Sequence, residues 1–331
     1  MKKCLILLVV CVLSIVSLSY ASDHSVLVIS SYHSTYGWTM DLNEGIQEVL
    51  GLGGKYEIKY FYMDTKRLPV SEHANMAEKA WEEYLAVKPA LVILEDDNAL
   101  KYLTPKFKTV KTPVVYVGIN NDPSVYGAVN VPNITGVLER PLMRDSIMAL
   151  ERVMKPAPQK VLVLFDSSPT AQATVDQIFE KQTSLKIQDI SVDVKLIGKL
   201  DVWKKTILNA KTDGYNALIM GLLFTITDEK GNHVDENELT KWTAENSPLP
   251  PFAFWDFVVG PKGAVGGYVC FGKGQGEVAG VIARRILLGK SPSEIPPIIG
   301  KSGQFAWSRS QIVKWKIRIP ADWLVYSEFK D

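Results

Sequence analysis

Cysteine is scarce in this chain: 331 residues hold three, Cys4, Cys11 and Cys270. The four histidines, His24, His33, His73 and His233, stand far apart without HExxH or any paired ligand spacing, so no metal centre is expected. A surplus of one charge is also missing, since 37 Lys and Arg meet 36 Asp and Glu. Nucleic-acid affinity through bulk charge is thereby excluded. No GxSxG elbow occurs and the one cysteine outside the N-terminal run lies in an apolar stretch, GYVCF. Neither common hydrolase nucleophile is present, and no enzyme and no cofactor are expected. Long apolar runs are confined to Cys4–Val16, and nothing later approaches the roughly 20 apolar residues of a membrane helix.

What is present begins with that run. Lys2 and Lys3 precede it, and Ser19-Tyr20-Ala21 offers a small-residue cleavage site, so residues 1–21 read as a secretory signal peptide. Its removal takes Cys4 and Cys11 with it and leaves Cys270 alone, which rules out an internal disulfide and suits a small buried hydrophobe. A lipobox needs a small residue before its cysteine, but Val9-Val10 precede Cys11. The expected product is periplasmic and free of a lipid anchor. A hydrophobic fraction of 47% with 22% charged residues describes an ordinary folded chain of about two domains.

Past Ser22 short β-branched runs alternate with amphipathic segments, the pattern of parallel α/β units. VLVISS (26–31), YEIKYFY (56–62), ALVIL (90–94) and PVVYVG (113–118) read as strands, with helices expected over 39–50 and near 76–85. A second set follows a turn-rich stretch, 120–135: VLVLF (161–165), VDVKLI (192–197), ALIMG (217–221) and PFAFW (251–255), with helices near 142–153, 169–183, 202–210 and 236–245. Two doubly wound parallel-sheet lobes are the economical reading. GYVCFGKGQGEVAGVIARRILLGK reads as strand, glycine-rich turn and helix, and WKIRIP as a late β-like piece. The expected division is 22–119 plus 272–292 for the N-terminal lobe and 120–271 plus 293–331 for the C-terminal lobe, with several strands crossing between them as a hinge.

In open α/β sheets the ligand crevice lies at the carboxyl ends of the strands. In the first lobe those ends carry Tyr32 and Trp38, the acidic run Glu95-Asp96-Asp97 with Asn98, and Asn120; in the second they carry Asp166, Ser167, Ser168, Trp255 and Asp256. Ser168-Pro169 is a helix-start signature, and the serine hydroxyls with free backbone N–H groups suit an anionic ligand group as well as a plain cap. The acidic run suits an ammonium or a hydroxyl-rich ligand, and equally a solvated loop. Trp38 and Trp255 offer flat walls for a ring or cation, or ordinary packing. Asp64-Thr65-Lys66-Arg67 reads as a charged surface turn. Gly274-Gln275-Gly276-Glu277-Val278-Ala279 fits GxGxxA, with Glu294 downstream, yet no full βαβ unit follows and an exported chain seldom meets NAD, so dinucleotide binding is not expected.

At these same positions the segments SSYHSTYGWTMDLNEGI, YFYMDTKR, LEDDNAL, PVVYVGINNDP, NITGVLERP and GKSPSEIPPI resemble the ABC transporter substrate-binding protein family of the type I periplasmic-binding fold, over about 26–320. The YHxxYxW and YMDTKR segments look most like the branch found as extracellular sensor domains ahead of histidine kinases. With no kinase following in the sequence, the resemblance implies a stand-alone periplasmic component of an ABC importer. It would close two lobes on a small polar or aromatic, amino-acid-like solute and present it to a permease in the inner membrane. A sensing subunit for a membrane kinase is the alternative, and a secreted enzyme a more distant one. The expected ligand contacts are Tyr32, Trp38, Asp97, Asn98 and Asn120 from one lobe and Asp166, Ser167, Ser168, Trp255 and Asp256 from the other. A monomer with no nucleic-acid partner is expected, and the signal peptide stands where a repressor of the related sugar-responsive fold would carry its helix-turn-helix.

Overall fold

A computed structural model describes residues 25–140, 142–300 and 303–331; the expected signal peptide lies outside them. The first sheet is built from β1 (Ser25–Ser30), β2 (Glu57–Tyr62), β3 (Leu91–Glu95), β4 (Val114–Ile119) and β5 (Ile134–Leu138). Strands β1, β3 and β4 are buried along their whole length, as continuous apolar runs must be when helices cover both faces. Those helices are α1 (Gly37–Leu50), α2 (Val70–Val87) and α3 (Asp96–Phe107). Along β1, Val26 and Val28 join one core with Leu42 and Ile46 of α1. The intervening Leu27 and Ile29 join another with Ala77 of α2 and Leu100 of α3. The period-two alternation of a strand thus sends α1 to one face and α2 with α3 to the other.

The second sheet comprises β6 (Lys160–Phe165), β7 (Ser184–Ile187), β8 (Ile190–Leu196), β9 (Ala217–Met220) and β10 (Pro251–Ala253). Helices α4 (Met143–Val153), α5 (Pro169–Ile178), α6 (Leu200–Asn209) and α7 (Glu236–Asn246) cover it. Val161, Val163 and Phe165 of β6 face the core shared with α4 and α5. Leu162 and Leu164 face Trp203 of α6 and Leu239 of α7. The remaining elements are β11 (Gly266–Val269), α8 (Gly272–Leu287), β12 (Ile298–Ile299), β13 (Gln304–Trp307), α9 (Arg309–Trp315), α10 (Ala321–Leu324) and β14 (Ser327–Phe329).

Strand order is β12-β5-β4-β3-β1-β2 in the first sheet, all parallel, and β10-β9-β6-β8-β7 in the second, with only β7 antiparallel; β11-β13-β14 form a small third sheet. Order reverses beside β1 in one lobe and beside β6 in the other. The loops after β1 and β3, and after β6 and β9, therefore leave on opposite faces and open a crevice between them. The chain passes between the lobes after β5, after β11 and after β12. Cys270, on the second crossing, bonds through its backbone to Phe254 and Asp256.

The sequence boundary at 119 falls too early. Strand β5 pairs with β4 and β12 pairs with β5, so 134–138 and 298–299 belong to the first sheet. The turn-rich residues before Ile134 hid a strand of only five. WKIRIP is no strand either: Trp315 ends α9 and 317–320 are irregular, while the late strands are β13 and β14. Helix α5 stops at Ile178 rather than near 183.

The glycine-rich segment is likewise helix rather than turn. A Cβ on Gly276 would overlap the Leu42 carbonyl oxygen, and one on Gly45 the Lys273 carbonyl oxygen. The glycines let α1 and α8 touch backbone to backbone, which places α8 on the first lobe immediately after the second crossing. Gly276→Val should lower the unfolding free energy by about 2–3 kcal/mol through overpacking. Gly280→Ala, whose Cβ meets only the Val49 side chain at 2.8 Å, should cost less. Urea unfolding of the two variants checks the order, and equal losses would contradict the close approach.

Candidate functional site

The crevice holds two adjoining cavities. The inner one is small, about 20 Å3, and takes walls from both lobes: Tyr32, Tyr36, Trp38, Lys66, Asp96, Asn120 and Glu139 from the first, Thr170, Leu222, Trp255 and Phe257 from the second. That volume admits about one water molecule. The outer one is about 530 Å3, and Tyr32, Lys66 and Thr170 line both.

The acidic run after β3 divides its work because the backbone turns sharply within it. Glu95 ends the strand and points back into the first lobe, where Ser30 donates to its Oε2. Burial raises its pKa to about 8. Asp96 has φ +66°, a left-handed conformation that costs a non-glycine residue free energy and marks functional loops. It lines the inner cavity, its Oδ1 accepting from Trp38 Nε1 at 3.0 Å and its Oδ2 buried without a partner. Burial, then the neighbouring Glu95, Glu139 and Asp97, hold its pKa well above the carboxylate range. Asp97 turns to the loop after β4: its carboxylate accepts from Asn120 N and Asn121 N, each at 3.1 Å, and from the Tyr126 hydroxyl at 3.0 Å.

Glu139 stands at the first crossing, just past β5, and is 2% exposed. Its Oε2 accepts from Asn120 Nδ2 at 2.8 Å and its Oε1 from Trp255 Nε1 at 2.8 Å, so one carboxyl group ties the two lobes. Burial raises its pKa to about 7 against those two donors. Thr174 on α5 adds a hydroxyl contact to Asn120 Oδ1 at 3.4 Å.

An aromatic cage completes the inner wall. Tyr36 meets Phe224 edge-on at 4.7 Å and Tyr32 at 5.3 Å, and Trp255 stacks on Phe257 at 6.3 Å. Lys66 Nζ projects among these rings, 4.2 Å from Tyr32, 4.3 Å from Phe224 and 4.9 Å from Tyr36. Burial lowers the Lys66 pKa, with Asp166 and Asp96 opposing.

Of the residues expected from sequence, Tyr32, Trp38, Asn120 and Trp255 line the inner cavity, and Asp97, Asn98 and Ser168 the outer one. Three stand elsewhere. Asp166 accepts from Phe224 N and Thr225 N at 2.8 and 3.1 Å and so fixes the loop after β9. Ser167 is exposed. Asp256 bonds Lys330 at 3.4 Å on the C-terminal segment. Ser168 Oγ is already engaged, accepting from Ala171 N and donating to Asp166, which makes the plain cap the better description. Sequence reasoning missed Tyr36, Phe257, Glu139 and Lys66 as site residues. Glu139 was legible only to a reading that recognised β5, since it occupies the carboxyl end of that strand.

The family model described as ABC transporter substrate binding protein matches residues 102–329. Comparison with curated proteins gives no match. Among solved structures, an ABC domain from Streptococcus pneumonia in complex with L-Trp is 18% identical, with 93% of this chain and 99% of that one covered at a TM-score of 0.69. A ligand-free, open substrate binding protein with adhesive properties from Clostridium difficile is 15% identical over 92% and 98%, TM-score 0.65. A conserved domain protein from Vibrio cholerae is 15% identical over 93% and 99%, TM-score 0.64. These likenesses establish the two-lobed α/β fold.

The raised pKa of Glu139 has a thermodynamic sign. Between the unfolded carboxylate value and about 7 the native chain holds a proton that the unfolded chain has lost, so stability falls as pH rises through that window. Glu139→Gln should flatten the fall between pH 5 and 7 by about 1–3 kcal/mol, measured by urea unfolding at the two pH values. An unchanged slope would mean that Glu139 is ionised throughout.

Proposed function

Because the chain belongs to the ABC transporter substrate-binding protein family, a non-enzymatic, extracytoplasmic class that binds solutes, we propose that it is the periplasmic capture component of an ABC importer. It is exported by its N-terminal signal peptide, free of a lipid anchor, and works as a monomer. Its two lobes close on a small polar or aromatic, amino-acid-like solute, which is then handed to an inner-membrane permease. The observation that carries the reading is the pair of adjoining cavities at the carboxyl ends of both sheets, about 20 and 530 Å3, each with walls from both lobes. A solute there touches both halves at once, and contacts made only when the lobes are shut are what shift the balance toward closure. Among the described residues no helix is long and apolar enough to cross a membrane.

The binding residues proposed are Tyr32, Trp38, Asn120 and Trp255 at the inner cavity, with Asp97 and Asn98 bordering the approach. Mass spectrometry of the solute released by mild denaturation identifies the ligand, and calorimetry on the emptied protein gives its affinity. Trp255→Phe, which keeps a ring but removes the N–H bond to Glu139, should weaken binding about tenfold or more. Ser167→Ala should leave it unchanged. Small-angle scattering should show a smaller radius of gyration with solute. A solute that binds equally to Trp255→Phe and leaves the radius unaltered would overturn the reading.

A further inference from the structure

The aromatic cage already contains a cation, and that cation is the protein's own. Lys66 Nζ lies within 5 Å of three ring centres, Tyr32 and Tyr36 from one lobe and Phe224 from the other, the arrangement by which ring faces attract an ammonium. Asp96, only 2% exposed, borders the same cavity with a carboxylate oxygen that no described group satisfies. Such an orphaned buried polar atom is costly and calls for a partner. Glu139 supplies a second buried carboxyl group on that wall. Lys66 also lines the outer cavity, together with Asp97 and Thr65. Rotation about its own side-chain bonds can therefore carry the amine from the cage to the outer space without moving the backbone.

We infer that the solute carries an ammonium or quaternary ammonium group, which displaces the Lys66 amine from among Tyr32, Tyr36 and Phe224 and makes Asp96 ionise as its counter-ion, the Asp96 proton passing to water. This rests on the solute-binding reading above and assigns the place where the solute's positive charge is held. Lys66 then acts as an internal competitor. A neutral solute gives Asp96 no charge to ionise against and leaves the lysine in place, so the device selects by charge.

The test uses the full chain, emptied of solute, and tryptophan fluorescence, which Trp38 and Trp255 make sensitive to the cavity. The probes are choline chloride, its neutral isostere 3,3-dimethylbutan-1-ol, and benzoate as an anion. Choline should bind at least about tenfold more tightly than the alcohol, and Lys66→Met should bind choline about tenfold more tightly than the natural chain. Asp96→Asn, which keeps an acceptor for Trp38, should lose the choline response. Lys66→Gln serves as a second neutral variant should the methionine fail to fold. Benzoate binding that disappears in Lys66→Met would overturn the inference, because Lys66 would then be an anion receptor. Choline binding that is absent, or unaffected by both lysine variants, would overturn it too. Scattering with a periplasmic extract separates the two levels: lobe closure by the extract without a choline response sinks only the cation assignment, and no closure with either sinks the solute-binding reading as well.

Discussion

Glu139 ties the two halves of this protein together with one buried carboxyl group. It sits where the chain first leaves the first sheet, and its two oxygens accept one hydrogen bond from Asn120 of that lobe and one from Trp255 of the other. A carboxyl group so deeply buried is expensive to leave unsatisfied. Asn120 and Trp255 are therefore held where their bonds to Glu139 reach, and both are also walls of the inner cavity. The same pair of bonds thus holds two walls of the cavity and joins the lobes.

Around that tie the site is assembled from loops whose positions follow from strand order. The reversals beside β1 and β6 send successive connections to opposite faces, and the crevice they leave collects Tyr32, Asp96 and Leu222 at strand ends. Secondary contacts then fix the loops themselves. Asp97 holds the backbone after β4 by two bonds and the Tyr126 hydroxyl by a third, and Asp166 holds the backbone after β9 by two. Both were expected to face a ligand. Asp97 borders the outer cavity while its carboxyl group and that of Asp166 shape the walls, and Asp96, beside Asp97, carries an unpartnered oxygen at the inner cavity.

Much of the architecture could be read from the residues because buried parallel strands announce themselves as apolar runs of fixed length. VLVISS, ALVIL and VLVLF are unmistakable for that reason. ITGVL was obscured by the turn residues before it and by Gly136, which accommodates Tyr116 of the adjacent strand. Missing that strand shifted the lobe boundary and hid Glu139 with it. WKIRIP alternates like a strand but finds no neighbouring strand to pair with. The GKGQG segment looks like a turn because glycine favours turns, yet Gly272 and Gly276 serve the contact of α8 with α1. Glycine composition alone cannot tell freedom of φ from the need for a missing side chain.

Local periodicity thus determined the fold class and the two-lobed plan, because helix and strand repeats are properties of consecutive residues. It also located Tyr32, Trp38, Asn120 and Trp255 among the walls of the inner cavity, since strand ends face the crevice in any such sheet. What only tertiary structure decided is the direction in which each polar side chain points. Glu95, Asp96 and Asp97 are chemically near-identical and adjacent, yet one faces a core, one the cavity and one a loop. Lys66 looks like part of a solvated turn and instead sits among three rings drawn from both lobes. Such choices depend on which distant groups are brought alongside and how far water is excluded from them, and neither quantity is a property of neighbours along the chain.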